Sequence, residues 1–200
     1  LELKAIDAAR QRLAGAPRPA SLHFPLGPAL GQCCGGTVTL SLQPLSRCDP
    51  LEWADTPARF SLQLYGAGHV GRAIVSLLRG LPCRVQWIDE RESEFPPGPE
   101  AAHVERLCVE PVQAEVDQAA PGSFFLVLTH SHDLDMAITE AVLRRGDFGW
   151  LGLIGSATKA ARFRHRFEAR GIAPDVLARL VCPIGLPGLT GKEPEVIAVS

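Results

Sequence analysis

Phe60-Ser61-Leu62-Gln63-Leu64-Tyr65-Gly66-Ala67-Gly68-His69-Val70-Gly71 is the stretch on which the fold turns. Phe60 to Tyr65 is a short apolar run that reads as a strand. Three glycines follow it directly. Residues 69–80 then carry Val70, Ile74, Leu77 and Leu78 at helical spacing, which predicts a helix with that face against a sheet. A second strand is predicted over Arg84 to Asp89, from Val85, Trp87 and Ile88, and it closes on an acid about 20 residues past the glycines.

A Gly-x-Gly-x-x-Gly pattern is weak by itself, but between a strand and a helix it has a mechanism. The first glycine permits a tight turn, the second lets backbone approach a phosphate, and the third lets helix and strand pack closely. The helix start then offers unpaired N–H groups and a positive dipole end to an anion. Gly66, Ala67, Gly68, His69, Val70 and Gly71 are therefore candidate ligand-binding residues. Asp89 is suited to accept hydrogen bonds from vicinal hydroxyls such as those of a ribose. With NAD(P) as ligand it favours NAD, because its charge repels a 2′-phosphate.

Outward from this core the alternation continues. A short strand is predicted over His103–Leu107 and a helix over Val112–Ala120. A buried strand follows over Phe124–Thr129, a helix over 133–145, a strand over Trp150–Ile154 and a helix over 156–170. Strands and helices alternating at this length predict an α/β fold. It is a Rossmann-like, mainly parallel sheet domain covered on both faces, spanning 58–200. Upstream the pattern differs. Leu3, Ile6, Ala9 and Leu13 suggest a helix over 1–14, residues 15–31 read as irregular, and Thr37–Leu42 alternates as a half-buried strand. Residues 43–58 contain three prolines and read as a linker. Residues 1–57 are thus part of a smaller N-terminal domain plus linker. Both ends read as internal to a longer chain: Leu1-Glu2-Leu3-Lys4 is already helical, and Pro194-Glu195 opens a helix that stops almost at once.

Composition excludes some classes. A net charge of −2 gives no electrostatic support to a nucleic-acid partner. The run Arg162-Phe163-Arg164-His165-Arg166 lies on a predicted helix and reads as a solvated face. No apolar run approaches a membrane span, and no signal peptide is visible. Six cysteines in 200 residues are too sparse for a disulfide scaffold, which leaves a reducing, cytoplasmic setting as the default.

Two further clusters carry chemistry. Cys33-Cys34-Gly35-Gly36 puts adjacent thiols before a flexible pair. Their spacing does not fit a structural zinc site, and in extended backbone they face opposite ways, leaving one thiol accessible. A sulfur-handling or soft-ligand role stands beside a plain buried thiol with a bystander. Thr129-His130-Ser131-His132-Asp133 follows a strand end, where ligands of parallel sheets sit. Thr129, His130, His132 and Asp133 are candidates for ligand contact. Capping of the next helix by Ser131 or Asp133 is the alternative. Gly155 and Ser156 end the following strand and face the same choice. No dedicated metal site is expected.

The chain resembles the xanthine dehydrogenase accessory protein family (XdhC/CoxI). The likeness rests on Gly31-Gln32-Cys33-Cys34-Gly35-Gly36, Leu64 to Gly71, Leu128 to Asp133, Leu153-Ile154-Gly155-Ser156 with Lys159 and Arg162-Phe163, and Pro183-Ile184-Gly185-Leu186 with Pro194-Glu195. The resemblance implies a cytoplasmic chaperone rather than an enzyme. Such a protein binds molybdenum cofactor of the molybdopterin type, holds it while a cysteine desulfurase partner supplies sulfur, and supports its insertion into a xanthine dehydrogenase-type molybdenum hydroxylase. It also implies a homodimer, and makes Cys34 first and Cys33 second as contacts for the sulfur or molybdenum end. An NAD(P)-dependent oxidoreductase and a non-catalytic nucleotide-binding module are the alternatives.

Overall fold

Strands that must bury both faces need helices on both sides, and the computed structural model of the chain has that arrangement in its larger part. It describes residues 1–15, 21–25, 36–47 and 57–200. The chain divides into two units, Leu1–Asp55 and Thr56–Ser200.

In the first unit, α1 (Glu2–Leu13) precedes an antiparallel pair, β1 (Ser21–Pro25) and β2 (Thr37–Ser41). Leu22 lies opposite Leu40 and Phe24 opposite Val38, so the apolar residues share one face. β1 falls where the sequence reads as irregular. Its Leu22-His23-Phe24 alternation is real, but it is short and bracketed by prolines that mask the signal. Cys33 and Cys34 lie outside the described residues.

The second unit is a six-stranded, wholly parallel sheet. Its strands are β3 (Ser61–Tyr65), β4 (Arg84–Asp89), β5 (Val104–Cys108), β6 (Phe124–Val127), β7 (Trp150–Leu153) and β8 (Leu180–Val181), ordered β5-β4-β3-β6-β7-β8. This is the doubly wound order of a dinucleotide-binding fold, with the reversal of direction between β3 and β6. Alternation along each strand sends residues to two cores. Leu62, Leu64, Val85 and Trp87 pack under α2 (His69–Leu78), with Ala198 of α6 (Pro194–Val199) against the same cluster. Tyr65, Ile88, Phe125, Val127 and Leu153 pack on the opposite side, against α3 (His132–Arg145) and α4 (Ala157–Ala169).

Three expectations change here. Residues Val112–Gln118 form a 3-10 helix rather than an α-helix, because prolines at 111 and 121 bracket the segment and only Val112 and Val116 are buried within it. Leu77, expected to face the sheet, is half exposed, since α2 turns it past the edge of the apolar stripe. The short helix α5 (Pro174–Ala178) and the two-residue strand β8 carry too little periodicity to be read from sequence. The basic run on α4 behaves as read: Phe163 is buried, while Arg162, Arg164, His165 and Arg166 are exposed.

Candidate functional site at the strand reversal

The glycine loop is held by its neighbours on every side but one. Gly66 adopts φ +119°, donates its N–H to the Ile88 carbonyl at 2.8 Å and accepts from the Trp87 indole at 3.1 Å. A Cβ at Gly66 would lie 2.9 Å from the Leu128 carbonyl carbon, and one at Gly71 would overlap the Gly66 carbonyl. Gly68 is different: a Cβ there meets nothing within 4 Å, and φ is an ordinary −67°. Two glycines are therefore fixed by packing and the third faces open space. Gly68 is also the N-cap of α2, which has no side-chain cap and no acid in its first turn. The helix start is left as a positive, donor-rich surface.

Asp89 does not wait for a ligand hydroxyl. It is 4% exposed. Its Oδ2 accepts from Ala67 N–H at 2.8 Å and Arg91 Nη2 at 3.0 Å, and its Oδ1 accepts from Arg91 Nε at 2.9 Å and Arg91 N–H at 3.0 Å. Burial pushes its carboxyl up, but hydrogen bonds from Arg91 and Ala67 more than offset that and hold it below the ordinary aspartate value. The chain of contacts continues. Arg91 reaches Glu94 at 3.4 Å, Arg72 Nη2 meets the other Glu94 oxygen at 3.1 Å, and Arg72 Nε donates to the Ala67 carbonyl at 3.0 Å. A closed ring of polar contacts thus begins and ends on Ala67, fixing the loop.

Across the reversal, Thr129 and Ser131 continue from β6. The Thr129 hydroxyl donates to Asp135 Oδ1 at 2.8 Å, and Ser131 caps α3 through the N–H groups of Asp133 and Leu134. Asp135 is buried and pairs with Lys159 at 2.5 Å, and Lys159 also donates to the Ile154 carbonyl at 2.9 Å. This pair ties the carboxyl ends of β6 and β7 together.

Between the two strand ends lies a cleft of about 190 Å3. Gly66, Asp89, Glu90, Thr129 and His130 form its polar rim, over Ile88, Val112 and Leu134. His130 Nε2 stands 3.6 Å from Glu90 Oε1, reaching from the end of β6 toward the end of β4 above β3. Of the predicted residues, Gly66, Asp89, Thr129 and His130 meet at this cleft. Ala67, Gly68, His69, Val70 and Gly71 form the adjoining loop and helix start. His132 and Asp133 occupy the exposed first turn of α3, and Ser156 caps α4 by accepting from Lys159 N–H at 3.2 Å. Gly155 packs on the Lys159 side chain, 2.8 Å from its Cδ at the Cβ position. Among the described residues no three His, Cys, Asp or Glu side chains converge as metal ligands.

Sequence reasoning missed Glu90, Arg91 and Asp135. The first two directly follow the Asp89 strand end, and that position alone is a usable signal. Asp135 sits on a helix side that only tertiary packing turns inward.

Residues 62–200 match the XdhC Rossmann domain family. The chain belongs to this XdhC family. The protein YqeB of Escherichia coli (strain K12) is 30% identical over 181 residues, which span 86% of this chain and 29% of YqeB. The chain thus covers under a third of that relative's length. A crystal structure of a xanthine dehydrogenase from Bacillus halodurans has the same fold, with a TM-score of 0.55 at 20% identity over 82% of this chain and 52% of that one. The XdhC match begins within β3 and includes the loop, the cleft and α6. Among the described residues, no helix is long and apolar enough to cross a membrane.

Proposed function

We propose that this chain handles molybdenum cofactor of the molybdopterin type, holding it for sulfuration and supporting its insertion into a xanthine dehydrogenase-like molybdenum hydroxylase. The observation that carries this is the open helix start at Gly68 beside a cleft at the strand reversal, in an XdhC-family domain. The residues suit such a cargo. A phosphate fits the uncapped N–H groups of α2. The cleft is below the roughly 300 Å3 at which drug-sized pockets begin, so it accepts one ring system and not the whole molecule. When bound, the cargo supplies a thiolate-held metal able to carry a terminal sulfur.

Cys34, with Cys33 second, is proposed as the contact for that end. The other thiols support this choice. Burial pushes the Cys83, Cys108 and Cys182 thiols up, with Glu92 adding at Cys108, so none of the three is poised as a thiolate. A cysteine desulfurase and the hydroxylase client are the proposed partners, the protein acting as a homodimer in the cytoplasm. Titration with molybdopterin, followed by transfer to apo-hydroxylase, tests the reading. Tight binding and restored client activity are expected, and a protein that binds no molybdopterin overturns it. A Cys34→Ala protein that transfers sulfurated cofactor normally removes the cysteine from the scheme.

The strand order favours a second reading, an NAD(P)-binding module with or without oxidoreductase activity. Against it, the acid that would grip the ribose has its oxygens committed to Arg91 and Ala67. Micromolar NAD binding by calorimetry would move the assignment there.

A further inference from the structure

The cleft holds a carboxylate that phosphate binding leaves unused. Asp89 is saturated, but the next residue is not. Glu90 lines the cleft beside Gly66, Thr129 and His130. Among the described residues its carboxylate accepts no hydrogen bond. Its one close polar neighbour on the cleft side is His130 Nε2 at 3.6 Å, beyond hydrogen-bond length. The two side chains are 26% and 42% exposed, so Glu90 is screened from bulk water on most sides while both its oxygens stay open. The apolar side chains of Ile88, Val112 and Leu134 supply the rest of the lining.

A carboxylate is a two-pronged acceptor, and its strongest partner is a pair of parallel N–H donors. Apolar walls around it favour a flat ring carrying those donors on one edge. A 2-amino-4-oxo heterocycle has that edge: a ring N–H beside an exocyclic amino group. Adenine does not, because its amino group flanks a bare acceptor nitrogen. Thr129 and His130 stand on the opposite side of the cleft, at the end of β6, where they meet the ring's remaining polar atoms.

We propose that Glu90 selects the ligand of this cleft by the paired N–H donors of a 2-amino-4-oxo heterocycle, the edge that a pterin and a guanine share. The proposal rests on the reading of the chain as a handler of a pterin cofactor, and adds the residue that recognises the pterin end while the start of α2 takes the phosphate.

The test titrates the protein and its Glu90→Gln and Glu90→Ala variants with GMP, AMP and molybdopterin. Thermal melts check that the variants fold; Glu90 carries no hydrogen bond whose loss would unfold them. Wild type is expected to bind GMP at least about tenfold tighter than AMP, the scale of one charge-assisted pair. Glu90→Gln puts an amide N–H against a ligand N–H, and is expected to erase that preference by weakening GMP alone, and to weaken molybdopterin about tenfold. A preference for AMP, or a Glu90→Gln protein with unchanged affinities, overturns the proposal. Where molybdopterin binds equally to wild type and variant, this inference fails and the proposed function stands. Where GMP is selected through Glu90 but molybdopterin does not bind, the proposed function fails and the residue assignment stands. Binding of none of the three overturns both.

Discussion

A methyl group on Gly71 would overlap the carbonyl oxygen of Gly66. That single contact sets how closely α2 approaches β3, and so where the helix start sits relative to the cleft. It separates the roles of the three glycines. Gly71→Ala and Gly66→Ala are expected to destabilise the protein by about 1–3 kcal/mol each, with Gly66→Ala also strained by its positive φ. Gly68→Ala meets no neighbour and is expected to stay within about 1 kcal/mol of wild type. Denaturant melts give the ranking, and a Gly68→Ala protein as unstable as Gly71→Ala would contradict it. In phosphate-ligand titrations the order inverts, because the added methyl at Gly68 occupies the ligand's approach.

Acid sensitivity follows from three paired carboxyls. Burial pushes Asp89, Glu100 and Glu140 up, but arginine partners outweigh it, and each ends below its ordinary value of 3.8 or 4.5. The native carboxylates therefore hold protons less readily than the unfolded ones. Their stabilisation is complete above the ordinary values and fades as pH falls through them toward the lower native ones. Urea midpoints are expected to be level above about pH 5 and to drop below it. Arg91→Met, which removes Asp89's partner, should flatten part of that drop; an unchanged profile would show that the pair contributes nothing.

Lys159 is the sole cation paired with buried Asp135 among the described residues, so removing it strands a charge. Lys159→Met is expected to cost about 3–5 kcal/mol. The double variant Asp135→Asn with Lys159→Met is expected to recover most of that, because the stranded charge is gone. A double-mutant cycle measures the coupling, and additive losses would argue against the pair. Because Asp135 also holds Thr129 at the cleft rim, the single variant should weaken ligand binding as well.

The chain has one tyrosine, Tyr65, buried in the sheet and donating to Gln63 Oε1 at 2.7 Å. Burial, with Glu115 and Asp117 adding, pushes its phenol well above the ordinary 10.0. The folded state keeps the proton that the unfolded state loses, so this stabilisation is present below pH 10.0 and is lost as pH rises past it. Phenolate absorbance is expected only together with alkaline unfolding. A native spectrum that titrates near the ordinary value would mean that Tyr65 is solvated.

The local order of strand, glycine turn, helix and acid was legible because each step is written in adjacent residues. Apolar alternation, Gly66-x-Gly68-x-x-Gly71 and Asp89 need no distant partner to be recognised. The parallel sheet and the cleft-lining residues Gly66, Asp89, Thr129 and His130 followed from that order. β1 and β8 did not, since a five-residue and a two-residue strand are defined by the neighbour they pair with. The 3-10 form of Val112–Gln118 was hidden for a related reason: proline placement and burial chose it over a helix that the composition allows.

By itself the sequence determined which residues carry chemistry and that an anion-binding helix start follows β3, because backbone conformation and dipole are local properties. Tertiary structure decided which groups are free to use. Asp89 reads as a ribose acceptor, yet Arg91 and Ala67 take its oxygens. Glu90 reads as a surface acid, yet the sheet reversal turns it into the cleft. Gly68 reads like its two fellow glycines, yet it alone of the three faces open space. The physical reason is common to all three: whether a polar group or an empty volume is available depends on what packs against it, and those partners lie far along the chain.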